Sequence, residues 1–254
     1  MKKLILFFGI IAVATMMTSC LEGNNSWEET TIVFIDRTDN GVMHGRASNG
    51  RFITSPAIRD GVLMGNPPIH FREWHFYRMH YRWEQELGFT SLGENVNANN
   101  VQVFEAIEIP AIWLTEGTAP EQTEDMQRFV GIPASSAWVT NPIFSDSEWY
   151  WRDNWILQFT WHGGAEAPQI GLFKRARDEA SNTVDIDVRI IQPSIGSEMR
   201  ERSGIVSFDM SRVRDSFPQT TTARAVTVRF HFYQTGYTTP RVITANTWTL
   251  HPTN

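Results

Sequence analysis

Alternation of apolar and polar residues with period two recurs along most of the chain and constrains its fold more than any other feature. Tyr77, Met79, Tyr81 and Trp83 alternate with Arg78, His80 and Arg82. Trp155, Leu157, Phe159 and Trp161 alternate with Ile156, Gln158, Thr160 and His162, and Gly163-Gly164 closes the run. Val184, Ile186, Val188 and Ile190 alternate with Asp185, Asp187 and Arg189; Val226, Val228, Phe230 and Phe232 alternate with Thr227, Arg229 and His231. Successive side chains of a strand point to opposite faces, so these runs read as half-buried strands of sheets with one wet face. Ile32 to Ile35, Val101 to Ile109, Ile205 to Met210 and Arg241 to Trp248 are further strand candidates. Asp39-Asn40-Gly41 and Ser48-Asn49-Gly50 carry turn chemistry, the Asn-Gly pair being a strong hairpin signal. With no long amphipathic helix, the pattern predicts an all-β protein of the sandwich or barrel kind.

A chain of 254 residues, 41% hydrophobic, can bury one large β core or two small ones. The acidic stretch Thr115 to Asp125, with its Gly, Pro and Thr, reads as a loop or as one helical turn leading into Phe129, and the junction of two domains is expected near residue 130.

The N-terminus gives an address. Lys2 and Lys3 precede an uncharged apolar run from Leu4 to Met17, too short to span a bilayer comfortably, since a spanning helix needs about 20 apolar residues. A positive start, a short apolar stretch and small residues at its end make a secretory signal, here residues 1–19. Met17-Thr18-Ser19-Cys20 resembles the bacterial lipobox, in which the Cys receives a diacylglyceryl group and becomes the new N-terminus. Cys20 is the only cysteine, so the exported chain holds no disulfide and relies on its cores. Each buried lipid CH2 contributes about 0.8 kcal/mol, and two or three acyl chains (palmitate among them) would make release very slow. Residues 20–30, polar and Asn-rich, read as a tether. Loss of Lys2 and Lys3 takes the formal net charge from −6 to −8 and leaves Lys174 as the only lysine. An acidic chain without a basic tail makes a poor ligand for nucleic acid, so none is expected as a partner.

Beyond patterning, the mature chain resembles the NigD-like lipoproteins of Bacteroidota. The likeness lies in Ser19-Cys20-Leu21-Glu22, in Asp153-Asn154-Trp155-Ile156-Leu157-Gln158-Phe159, in the His162-Gly163-Gly164 turn, in Gly204-Ile205-Val206-Ser207-Phe208-Asp209-Met210 and in the strand Val226 to Tyr233. The resemblance implies an OB-like β-barrel over residues 31–130 followed by an antiparallel β-sandwich over 131–254. It also implies a cell-envelope lipoprotein, placed in the outer membrane, and assigns no functional residue except the lipidated Cys20.

Catalytic signatures are weak. His70, His75 and His80 are five apart, which misaligns them on a strand and on a helix alike, and no metal-ligand spacing appears. No Gly-x-Ser-x-Gly elbow exists, and the one Cys is taken by lipid. Asp185 with Asp187, or Glu84 with Glu86, stand two apart on a strand face; that spacing is compatible with a glycosidase pair, but Asp185 and Asp187 face away from an apolar row and read as a solvated face. The ten Trp and sixteen Phe are more suggestive. Trp149 and Trp151 fall on one face of a strand, where they either fill a core or form a stacking platform for a glycan or a contact for an envelope protein. The reading is therefore a lipid-anchored, non-enzymatic binding or scaffolding module without cofactor or metal. A hydrolase acting on envelope glycans is the alternative.

Overall fold

The computed structural model describes residues 26–48, 51–84, 89–92, 95–133, 137–138, 151, 153–177, 181–218, 222–245 and 247–250. The chain forms two compact units, 1–108 and 109–254. The division falls before the acidic loop rather than near residue 130, because Leu114–Glu116 pairs with Gln169–Lys174 and Phe129–Gly131 with Asn154–Gly163, all inside the second unit.

In the first unit the strands are β1 (Ser26–Arg37), β2 (Met43–Ala47), β3 (Phe52–Ile53), β4 (Val62–Leu63), β5 (Ile69–His70), β6 (Phe76–Glu84), β7 (Phe89–Leu92), β8 (Asn95–Ala98) and β9 (Gln102–Glu108), with a single-turn helix α1 (Pro56–Arg59) after β3. Seven of them form one sheet in the order β7-β8-β3-β2-β1-β6-β9, while β4 and β5 make a separate hairpin. The Asn-Gly turn joins β1 to β2 as its chemistry predicts: Gly41 takes φ +79°, and Thr38 and Val42 close the loop through a backbone hydrogen bond of 2.9 Å. Gly45 lets β2 approach β1, since a Cβ there would lie 2.6 Å from Cγ1 of Val33. Tyr77, Met79, Tyr81 and Trp83 of β6 turn inward, and with Val33 and Ile35 of β1 they form the core. Strand β1 starts at Ser26, inside the segment read as a tether. Its polar residues have partners across β6: Trp27 stacks on Trp83 with centroids 6.3 Å apart, Arg82 donates to Glu28 at 2.9 Å, and Glu29 is buried against the Tyr81 hydroxyl. Among the described residues β7 and β9 end the sheet without pairing to each other, so it is an open sheet there.

The second unit holds β10 (Leu114–Glu116), β11 (Phe129–Gly131), β12 (Ala137–Trp138), β13 (Asn154–Gly163), β14 (Gln169–Lys174), β15 (Thr183–Gln192), β16 (Arg200–Asp209), the short helix α2 (Ser211–Asp215), β17 (Arg224–Phe232), β18 (Arg241–Thr244) and β19 (Trp248–Leu250). One sheet runs β10-β14-β15-β17-β18, with β19 also on β17; the other runs β11-β13-β12, with β16 on β13. Trp155, Phe159 and Phe208 from the second meet Leu172, Ile186 and Phe230 from the first in one core, which makes this unit a sandwich. Trp155 lies edge-on to Trp248 at 5.4 Å. Rings of this kind bury large apolar areas and prefer such tilted contacts. The sandwich is mixed, not purely antiparallel: β10 with β14 and β15 with β17 are parallel pairs. The reason is the path of the chain, which leaves β15 for β16 in the other sheet and returns through α2 to enter β17 in the same direction. Among the described residues no helix is long and apolar enough to cross a membrane.

Candidate functional site

The site grows from the polar face of β15. Inward, Val184, Ile186, Val188 and Ile190 enter the core; outward stand Asp185, Asp187 and Arg189. Parallel pairing sets Asp185 beside Arg229 and Asp187 beside His231 of β17. Arg229 grips Asp185 with two nitrogens, Nε to Oδ1 at 2.8 Å and Nη2 to Oδ2 at 2.7 Å, and Nε2 of His231 lies 2.6 Å from Oδ1.

Asp187 is held as closely, by two arginines. Arg175, just past the end of β14, donates its backbone N–H to the carbonyl of Asp185 at 2.9 Å. Its side chain then forks onto Asp187, Nε to Oδ2 at 2.6 Å and Nη2 to Oδ1 at 2.8 Å. Arg189 adds Nη2 to Oδ1 at 2.8 Å, while its Nη1 donates to the carbonyls of Val188 and His231. The guanidinium of Arg189 lies over the ring of Tyr233, 4.9 Å from its centre, an arrangement that favours cation over ring. Asp187 is 4% exposed. Burial alone would push its carboxyl up, but the hydrogen bond from Arg175 and the charges of Arg189 and Arg175 outweigh it and hold the pKa below the ordinary aspartate value. Asp185 is lowered in the same way, burial being outweighed by Arg229 and His231.

Over this face lies an open pocket of about 620 Å³. Its floor is Arg175, Ala176, Asp187, Arg189 and Tyr233, and its roof is the loop from Gly117 to Gln122. The N–H of Gly117 donates to the carbonyl of Lys174 at 3.0 Å, which fixes the start of the roof. Its φ of +121° belongs to the region that favours glycine. The loop is the acidic stretch noted in the sequence; its role as a roof was not visible there. Asp185 and Asp187 do lie on the face turned away from the core, but they are clamped in ion pairs, not solvated. The signal that could have found this is the complementary charge on two alternating runs, Asp-x-Asp-x-Arg on one and Arg-x-His on the other, since cross-strand opposite charges attract.

The aromatic candidates divide. Trp149 and Cys20 lie outside the described residues. Trp151 is 3% exposed, so its indole is enclosed and does not present the open stacking face considered for it. Of the histidines, Nδ1 of His75 lies 2.9 Å from Glu108, and His80 lies against Phe104 at 5.3 Å. Among the described residues no three or more His, Cys, Asp or Glu gather where they could hold a metal.

The fold and this face define a two-unit, β-rich protein with a charged pocket on the outside of its sandwich. No family model matches the chain, and neither does any curated protein. Among solved structures it is similar to a protein of unknown function from Bacteroides vulgatus, with 13% identity and a TM-score of 0.51 over 88% of this chain and 92% of that one. It is also similar to an uncharacterized protein from Parabacteroides merdae, with 6% identity and a TM-score of 0.50 over 87% and 98%. A NigD-like immunity protein from Bacteroides caccae aligns at 12% identity and a TM-score of 0.47 over 89% and 97%. At these identities the likeness is one of fold.

Proposed function

We propose that this chain is a cell-envelope lipoprotein, anchored in the outer membrane through acylated Cys20, that binds an envelope glycan without transforming it. The observation that carries the reading is the state of the carboxylates under the roof loop. A general acid needs a raised pKa, and a nucleophile needs free lone pairs. Neither Asp185 nor Asp187 is raised, and each already meets three donor contacts, from Arg229 and His231 at Asp185 and from Arg175 and Arg189 at Asp187. The same pairing leaves hydrogen-bond donors facing a cavity, which is what a binding site requires. The signal segment and the lipobox-like ending support the address. We read the first unit as OB-like, because β1 pairs with β6 along its first part and with β2 along its last part, as a strand does when a sheet rolls toward a barrel.

Two outcomes test the proposal. Cys20→Ala moves the protein from the membrane fraction to the soluble one, and intact-mass analysis of the native protein shows diacylglyceryl addition; an unmodified mature N-terminus contradicts the anchor. Incubated with envelope polysaccharide, the full chain co-sediments with it and releases no new reducing ends; steady release of reducing ends contradicts the non-enzymatic reading.

A further inference from the structure

We propose that the pocket beneath the Gly117–Gln122 loop takes the carboxylate of a sugar-sized organic acid, and that the free edge of Arg175 receives it. A guanidinium has two edges that can grip a carboxylate with parallel N–H bonds: the side edge, Nε with Nη2, and the end edge, Nη1 with Nη2. Asp187 occupies the side edge of Arg175. Nη1 of Arg175 makes no hydrogen bond to any described residue, so the end edge is open. That side chain is 41% exposed and lines the pocket, so the edge is reachable.

The second guanidinium makes the first available. Asp187 would cancel the charge of Arg175 if the two stood alone. Arg189, with its side chain 9% exposed, also donates to Asp187. Among the described residues the floor therefore holds two guanidinium charges against one carboxylate, on a chain whose formal net charge is −6. A buried cation of this kind cannot be deprotonated to relieve the excess, because arginine stays charged. Among the described residues Glu121 of the roof is the one acid in the pocket lining besides Asp187, and it is exposed, so water screens it. A pocket of about 620 Å³ is far larger than a lone carboxylate needs, and ligand pockets of small molecules run from about 300 to 1,000 Å³. The size fits an acid carried on a sugar ring, with the ring under the roof and the acid on Arg175.

This inference rests on the binding reading above but needs no anchor, so its test is separate from the fractionation and sedimentation experiments. The full chain in detergent is titrated with D-glucuronate, D-glucose, acetate and inorganic phosphate, by calorimetry or by NMR. The expected result is saturable glucuronate binding, with a Kd of about 1 mM or tighter, at least tenfold tighter than for acetate or phosphate, and none for glucose. Arg175→Gln, still folded by circular dichroism although its melting temperature falls, weakens glucuronate tenfold or more, and Arg175→Lys, which keeps the charge but lacks the fork, does not restore it. Glu121→Gln, a change on the exposed roof, tightens binding two- to threefold by removing the competing acid. Glucuronate binding equal to that of glucose or acetate, tighter binding of phosphate or of an acidic peptide, or affinity indifferent to Arg175 and Glu121 would each overturn the proposal.

Discussion

Each unit buries a carboxylate against arginine and a tyrosine, and the two sites differ in the sign of what burial does. In the first unit Glu29 is 7% exposed, accepts from the Tyr81 hydroxyl at 3.0 Å and pairs with Arg51, which lies over the Trp83 ring at 4.6 Å. Its carboxyl is pushed up: desolvation exceeds the help from Arg51 and Tyr81. In the second unit Asp187 is 4% exposed but lies less deep among surrounding atoms than Glu29, and two guanidiniums act on it; its carboxyl is held down. Asp153 makes the comparison threefold. It is 8% exposed and gripped by Arg214 at 2.8 Å, and desolvation, joined by the charges of Asp209 and Asp215, prevails and raises it. Where burial is deep and one arginine acts, desolvation prevails; where burial is shallower and two arginines act, the charges prevail. The outer-face network is thus built to stay ionised and carry excess positive charge, whereas the Glu29 site sits closer to neutrality.

The largest effect that would sharpen this contrast comes from removing the carboxylate that serves two cations. Asp187→Leu leaves Arg189 buried beside Arg175 with no acid between them, and denaturant unfolding should show a loss of about 3 to 5 kcal/mol. Arg51→Met in the first unit should cost less, about 1 to 3 kcal/mol by the same measurement, because Glu29 can take up a proton and keep its bond from Tyr81 as a neutral group. If the two losses came out in the opposite order, the contrast between the sites would fail.

Smaller effects separate the sites by their response to acid. Glu29, raised in the fold, contributes stability that is present below its ordinary value of 4.5 and is lost as pH rises through its folded value. Asp187, lowered in the fold, contributes stability that is present above its ordinary value of 3.8 and is lost as pH falls through its folded value. Relative to the native chain, Glu29→Gln should therefore gain stability as pH climbs from about 4 to 7, while Asp187→Asn should lose it as pH climbs from about 2 to 5. Unfolding curves across those ranges measure both slopes, and slopes of one sign for the two variants would break the comparison.

Much of this architecture was legible in the sequence, and the failures have physical causes. Period-two runs located β6, β13, β15 and β17 because each has one face in a core and one in contact with polar groups. Strand β1 was harder, since Thr31 to Asp36 are buried on both faces and the alternation vanishes there. Its first residues read as a tether because the segment before Thr31 is polar and Asn-rich, and nothing local reveals that Arg82, Arg51 and Tyr81 await Glu28 and Glu29 22 to 54 residues away. The site shows the same limit. Asp185, Asp187 and Arg189 were placed on the correct face, but whether that face was wet depended on the register of β15 with β17 and on Arg175 beyond the end of β14. Trp151 was drawn to attention by ring density, a property shared by cores and binding surfaces, and at 3% exposed it offers no open ring face.

The most direct test of the account is a titration of individual carboxyl carbons by NMR in the full chain. The account predicts that Asp187 titrates below its ordinary value of 3.8 and Glu29 above its ordinary value of 4.5, with Asp187 ionised throughout the range in which the protein would bind an anion. Asp187 titrating above 3.8 would make it a poised acid and not the ionised partner of two arginines, and would contradict both the contrast between the sites and the binding role drawn from it.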